Sequence, residues 1–467
     1  MRAALLLILS FAASARADAF KVGAASVDIT PPVGTPMAGY YGERLSQGVH
    51  DPLFAKAIVL ERDGKKAALV SLDLISTPMA MVEEARREIE KVTSIRGADV
   101  MISATHAHTG PVLQGRGARE DAFGGKNPLA RAYGEALPGK IAESVRRAEK
   151  ALGVARIAAG HGHESSIAFN RRFHMADGSV GWNPGKNNPG ILKPAGTIDP
   201  DLAVVYFEAD GKDRTPLAIY VNYAVHLDNV GGVKFSADLP ATLAELLGRF
   251  KGPDLVTLYT TGCCGDVNHI DVGWAEAQGG RENASRMGVI LAAEVLRTWP
   301  RLRPAAPGPL VVRSEKVKLP PARITPEEIA SSRATIATLD GKGKTPPFME
   351  LVRAFKVRDV EARRGDPIEV EVQVIALGGE IAWVSLPGEI FVELGLAIKQ
   401  DSPFPHTIIA ELANGAIGYI PSRRAYSQGN YEVVSARCAE GSGELLVDAA
   451  VRMLKEIHRG ATTASGR

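Results

Sequence analysis

Residues 102–111 read ISATHAHTGP, which sets His106 and His108 one residue apart at the end of an apolar run. Imidazole binds metals and carries protons near neutral pH. In an extended chain, positions i and i+2 share a side, so both rings would face one spot. Two neutral imidazoles converging at a strand end suit a metal ion or a reacting carbonyl. An isolated His-x-His is equally compatible with two packed histidines, so other residues must decide.

Two of them do. His226 ends the stretch NYAVH and Glu389 ends SLPGE. Taken singly, His226 reads as a packed histidine and Glu389 as a carboxylate at a helix start, where the helix dipole favours it. Together with His106 they occupy ends of three similar stretches of chain. Two histidines and a glutamate form a ligand set for catalytic zinc that leaves a position open for water.

The stretches that must position them follow one plan. Residues 51–73, 199–223 and 368–386 each read as a β-hairpin, with Asp63-Gly64, Asp210-Gly211 and Gly378-Gly379 in the turns. A helix and a short apolar strand follow each time. The helices are expected at 79–91, 240–249 and 390–399, the strands at 99–104, 255–260 and 406–412. Such units predict an α/β fold of two mixed β-sheets packed as a sandwich with flanking helices. Sites in such folds lie in loops beyond strand ends.

Elsewhere, 302–324 reads as a linker with one edge strand. Thr325-Pro-Glu-Glu marks a helix start, and 281–297 reads as an amphipathic helix. Asn283 heads a glycosylation sequon that, inside a helix, is incidental.

Bulk properties narrow the class. The chain of 467 residues carries 55 basic and 53 acidic side chains, a net charge of +2, with no basic cluster, which argues against a nucleic-acid partner. It opens MRAALLLILSFAASARADAF, a basic start, an apolar run and small residues. That pattern predicts a signal peptide over 1–19, cleaved after Ala15, Ala17 or Ala19, and an exported protein (periplasmic or secreted). No later run approaches the ~20 apolar residues of a membrane span, which leaves peripheral membrane contact open. Residues 20–467 are expected to form one domain. Of three cysteines, at most one of the adjacent Cys263 and Cys264 would pair with Cys438, a bond the sequence does not require.

The motifs GAASVDITPPVGTPMAGY, SATHAHTGP, NYAVH, GDVN, SLPGE and GY…NYE, in this order from about Gly23 to the mid-430s, together resemble the neutral/alkaline non-lysosomal ceramidases. These are zinc amidases that release fatty acid and sphingosine from ceramide. The resemblance implies Zn2+ held by His106, His226, Glu389 and Tyr419. It implies that His108 stabilises the oxyanion, and that Arg171 and Tyr431 also lie in the site. Cleavage would use metal-activated water.

The chain departs from the family in two respects. Where the family carries a serine in GDVSPN, this chain has Asn268 in GDVNHI. A nucleophile is thus lost, though zinc hydrolysis does not need one. The family's C-terminal immunoglobulin-like domain is not recognisable. Asp266 of GDV either orients a ligand or the Asn268 loop, or caps a turn. The expected function is hydrolysis of a small-molecule acyl amide. A zinc esterase or deacylase on a non-sphingolipid acyl substrate is an alternative, and a non-catalytic binding protein with a retained metal site is another.

Overall fold

The computed structural model describes residues 19–115, 117–340 and 346–465. All of the expected leader except Ala19 lies outside them, as do the cleavage candidates Ala15 and Ala17. Two mixed sheets dominate. The larger has the strand order Val256–Thr261, Pro216–Tyr223, Asp201–Ala209, Gly153–His163, Lys21–Asp28, Phe54–Arg62, Lys65–Leu72, Val100–Ala104, with Arg303–Pro304 beside Gly153–His163. The smaller runs Leu310–Leu319, Ile368–Leu377, Ile381–Ser385, His406–Ala410.

Alternation along the strands sets the layers, because successive side chains leave a strand on opposite faces. Ile58, Tyr220, Trp383 and Ile408 share one buried cluster between the sheets. Their neighbours point the other way. Val59 packs towards Val82 and Leu137 of two helices, and Val221 towards Leu243 and Leu291 of two more. Val384 and Ile409 pack towards Leu394 and Leu454. The molecule is therefore helices, sheet, sheet, helices. Both sheets are buried on both faces, which explains why runs such as AIVL and LAIYV are apolar throughout.

Three segments share a topology. Each has an antiparallel hairpin, then a helix, then a strand running parallel to the hairpin's second strand. The helices are Met79–Val92, Leu239–Lys251 and Val392–Asp401. Asp238 caps the second by accepting from Leu239 N. The Asp63-Gly64 turn has both residues at positive φ, the conformation a two-residue hairpin needs. Asp210-Gly211 instead opens a wider loop before Pro216. The stretch expected as a linker supplies the ten-residue edge strand Leu310–Leu319, and Thr325 forms a full capping box with Glu328.

Asn283 is buried in the helix Arg281–Thr298 and donates to Asn229 Oδ1 at 2.6 Å. The three cysteines are buried and free, so neither Cys263 nor Cys264 pairs with Cys438. Among the described residues no helix is long and apolar enough to cross a membrane.

Candidate metal centre

Parallel strands end at the same edge of a sheet, and the candidate residues follow such ends. His106 comes just after Val100–Ala104, His226 after Pro216–Tyr223, Glu389 after Ile381–Ser385. His106 thus follows the third strand of its segment, whereas His226 and Glu389 follow the second. The three positions are not equivalent by repeat, and they follow strands that are not neighbours, two in the larger sheet and one in the smaller. The chain is also not extended at the His-x-His pair. His106 sits at φ 73°, so a tight turn brings the two rings together, not strand alternation.

The geometry is close. His106 Nε2 lies 2.9 Å from His226 Nε2 and 3.3 Å from His108 Nε2. Glu389 Oε2 is 3.5 Å from both His106 Nε2 and His226 Nε2. The Tyr419 hydroxyl is 3.5 Å from His226 Nε2. Glu389 and Tyr419 are themselves neighbours on a short parallel bridge. Two glycines permit this convergence. A Cβ at Gly265 would stand 2.5 Å from the Glu389 carbonyl oxygen, and one at Gly388 2.7 Å from that of Gly418.

Tautomers decide what these nitrogens can do. His106 Nδ1 donates to the Ile75 carbonyl at 2.8 Å, and His226 Nδ1 to the Cys264 carbonyl at 3.0 Å. A carbonyl only accepts, so both Nδ1 atoms carry the proton and both neutral Nε2 atoms are bare. Two lone pairs then face each other at 2.9 Å, with the Glu389 carboxylate beside them. Burial, reinforced by Arg171 and His106, pushes the His226 pKa down to about 4, so protonation does not relieve the contact at neutral pH. Burial also pulls His108 well below its usual value, with His106 adding to the effect. Burial acts to raise Glu389, but His106 and His226 outweigh it and hold the carboxyl well below the usual range. Neutral imidazoles with fixed tautomers and an ionised carboxylate are the donor chemistry of a cation site.

The three imidazoles form a group whose ligand atoms all lie within 4.8 Å of one another, and such a group can hold a metal ion. His106, His226, Glu389 and Tyr419 form a second, overlapping donor set. His108 belongs only to the first, which makes its role a question for experiment.

The remaining expected residues surround this cluster unequally. Tyr431 lines the same pocket as His106, His108, Glu389 and Tyr419, and its ring centre is 5.3 Å from that of Tyr419. Arg171 is buried beneath the two tyrosines, its guanidinium carbon 5.4 and 5.9 Å from their ring centres. Its Nε donates to Glu432 at 2.8 Å and its Nη2 to the Gly265 carbonyl at 2.7 Å. Asn268 is not on the pocket wall. Its amide donates to Asn183 Oδ1 at 3.1 Å and accepts from Ile270 N at 3.1 Å, so it ties its loop to the segment around Asn183. Asp266 accepts from Val392 N and Asn170 Nδ2, both at 2.8 Å, and so pins the start of the helix that follows Glu389. Burial raises its pKa to about 6.

Sequence reasoning missed two carboxylates. Glu432 bridges Arg171 and Arg172, accepting at 2.8 and 2.7 Å while fully buried. It was visible as the last letter of NYE. Glu411 accepts from Ile390 N at 2.8 Å and from Cys264 N at 3.1 Å, joining the loops that carry Glu389 and the His226 partner. Nothing in HTIIAEL signals that role.

Comparisons with known proteins bear on the family resemblance and the fold. Residues 20–231 match the family described as neutral/alkaline non-lysosomal ceramidase, N-terminal. No curated protein matches the chain. Among solved structures, neutral ceramidase from Pseudomonas aeruginosa superposes with a TM-score of 0.73 at 19% identity, over 94% of this chain and 75% of that one. A ceramidase complexed with C2 gives the same TM-score and identity, over 94% and 76%. Residues 20–231 thus resemble the neutral/alkaline non-lysosomal ceramidases, within a chain that folds as a neutral ceramidase does.

Proposed function

We propose that this chain is an exported, zinc-dependent hydrolase that cleaves the N-acyl bond of an amide. The observation that carries the reading is the pair of bare Nε2 atoms of His106 and His226 facing each other at 2.9 Å beside Glu389. His106, His226, Glu389 and Tyr419 would hold the ion. Bound zinc would supply an activated water and a Lewis acid for the carbonyl. The family match and the shared fold support amide hydrolysis. The basic, apolar N-terminal stretch supports export.

The chain's own groups provide the rest. With the His106 Nε2 lone pair committed to a metal, His108 Nε2, 3.3 Å away, would be free to donate to a substrate oxygen. Burial pushes the Tyr431 phenol far above its ordinary value, so it stays protonated and donates. One well-placed donor to a developing oxyanion is typically worth ~3 kcal/mol. Arg171, anchored by Glu432, keeps a positive charge beneath both tyrosines. Asn268, tied to Asn183 and Ile270, holds the loop and forms no acyl ester.

A second reading, an esterase or deacylase on a non-sphingolipid substrate, is favoured by Asn268 at the serine position. Metal analysis with a hydrolysis panel of acyl amides and acyl esters tests both. One zinc per chain with amide cleavage supports the proposal. Ester cleavage alone supports the second reading. Stoichiometric metal with no hydrolysis points to a binding protein.

A further inference from the structure

We propose that Lys356 selects an acyl amide bearing an anionic group, a carboxylate or a phosphate, over a neutral one. The inference rests on the hydrolase reading above. The pocket that holds His106, Glu389 and Tyr431 is also lined by three cationic side chains, Arg119, Lys356 and Arg437. Two of them are matched. Arg119 Nη2 meets Glu120 Oε1 at 2.5 Å, and Arg437 Nε donates to Asp359 Oδ2 at 2.7 Å. Lys356 is not. Among the described residues it has no hydrogen bond and no carboxylate within the 4.0 Å of an ion pair.

Its setting sharpens the contrast. Lys356 is half-buried on the helix Phe348–Glu361. Burial pulls its pKa down; Glu328 opposes the shift and Arg353 adds to it. A partly desolvated cation without a counter-ion is unfavourable until a ligand supplies one. Val352, Phe355 and Lys356 line the same pocket, as their spacing of three and four along a helix allows. The pocket therefore offers an apolar flank, extended by Tyr41 and Tyr431, next to an unmatched ammonium. An apolar acyl chain with an acidic head uses both features. A neutral two-chain lipid uses only one.

The test uses the full chain loaded with zinc and four dodecanoyl amides: of glycine, phosphoethanolamine, ethanolamine and sphingosine. Wild type should cleave the glycine or the phosphoethanolamine amide with a kcat/KM about tenfold above the two neutral amides. Which of the two leads distinguishes carboxylate from phosphate. Lys356→Met keeps the apolar stem. It should raise KM for the anionic amides about tenfold, leaving kcat and the neutral substrates within twofold. Lys356→Arg should retain the preference.

Equal rates on charged and neutral amides would overturn the inference while leaving the hydrolase reading intact. So would a uniform loss across all four in Lys356→Met, which marks a packing role. If zinc-loaded protein cleaves none of the four, the hydrolase reading fails. Calorimetric binding of dodecanoylglycine then decides for Lys356. Affinity that Lys356→Met abolishes supports it, and unchanged or absent binding overturns it.

Discussion

His106 Nε2 and His226 Nε2 stand 2.9 Å apart, and each ring is locked by an Nδ1–H bond to a backbone carbonyl, Ile75 for one and Cys264 for the other. The rings cannot turn without abandoning those bonds. The bare nitrogens are therefore held against each other by the backbone, the preorganisation that a cation site would need.

Protein purified without chelator should accordingly contain about one zinc per chain. His226→Ala should lose most of it, because the donor set shrinks by one imidazole. Elemental analysis reads the outcome, and full zinc occupancy in the variant would remove His226 from the site.

His108→Ala should separate the two donor sets. With His108 acting on the substrate, zinc content stays near wild type while kcat falls by roughly 10²–10³. Loss of metal in this variant would instead place His108 among the ligands.

Acid should act late. The His226 pKa, pushed down to about 4, keeps its nitrogen free of protons well below the ordinary imidazole value. Metal occupancy should persist through pH 5 and fall as pH nears 4, where an exposed histidine site would already release metal near ~6.5. The stability of the metal-free protein has a defined sign. The unfolded chain binds more protons at His226 between pH 6.5 and about 4, so this group lowers stability as pH falls through that window. Asp266, raised from 3.8 to about 6, acts oppositely. Its folded form binds more protons over that range, so it lowers stability as pH rises. Dialysis at stepped pH with metal analysis, and unfolding of chelated protein over the same range, check both statements.

Glu432→Ala should destabilise strongly. It leaves Arg171 and Arg172, both buried, without their shared carboxylate, and breaking a buried pair this way costs about 3–5 kcal/mol. Denaturant unfolding would show it as a lowered midpoint with little change in slope. A midpoint within experimental scatter of wild type would mean that the guanidiniums find other partners.

Turnover should proceed without an acyl-enzyme. Asn268 offers no hydroxyl, and both ends of its amide are engaged, one by Asn183 and one by Ile270. Hydrolysis should show no burst, hydroxylamine should trap no protein-bound acyl group, and Asn268→Ser should retain its metal. An acylated residue seen by mass spectrometry during turnover would sink this expectation.

How much of this was legible in the sequence depends on the kind of interaction. The hairpins were readable because apolar runs around Asp-Gly or Gly-Gly turns, like the helices that follow them, are local signals. His106, His226 and Glu389 could be connected because each follows a strand of one of three similar segments, although their positions in those segments are not equivalent. The strand Gly153–His163 could not be read. Its sequence GVARIAAGHGH has little β-branched character, and its place at the centre of the larger sheet comes from its neighbours. Glu411 and Glu432 were hidden for a related reason. A carboxylate bonded to backbone N–H groups or arginines far along the chain leaves no periodic trace. Asp266 could be read as a cap or an orienter, and the structure shows it pinning the Val392 helix start.

The ligand candidates are scattered along the chain, with 120 residues between His106 and His226 alone, and Glu389 on the other sheet's side of the molecule. Closing such long loops is entropically costly before the sheets have packed. The site therefore assembles late, after the strands that present it. A cation added during refolding meets no preformed cluster, so it should leave the folding rate nearly unchanged. Once seated, it would tie loops that follow strands of both sheets, and that tie must break before the sheets part. Metal should slow unfolding while leaving folding alone.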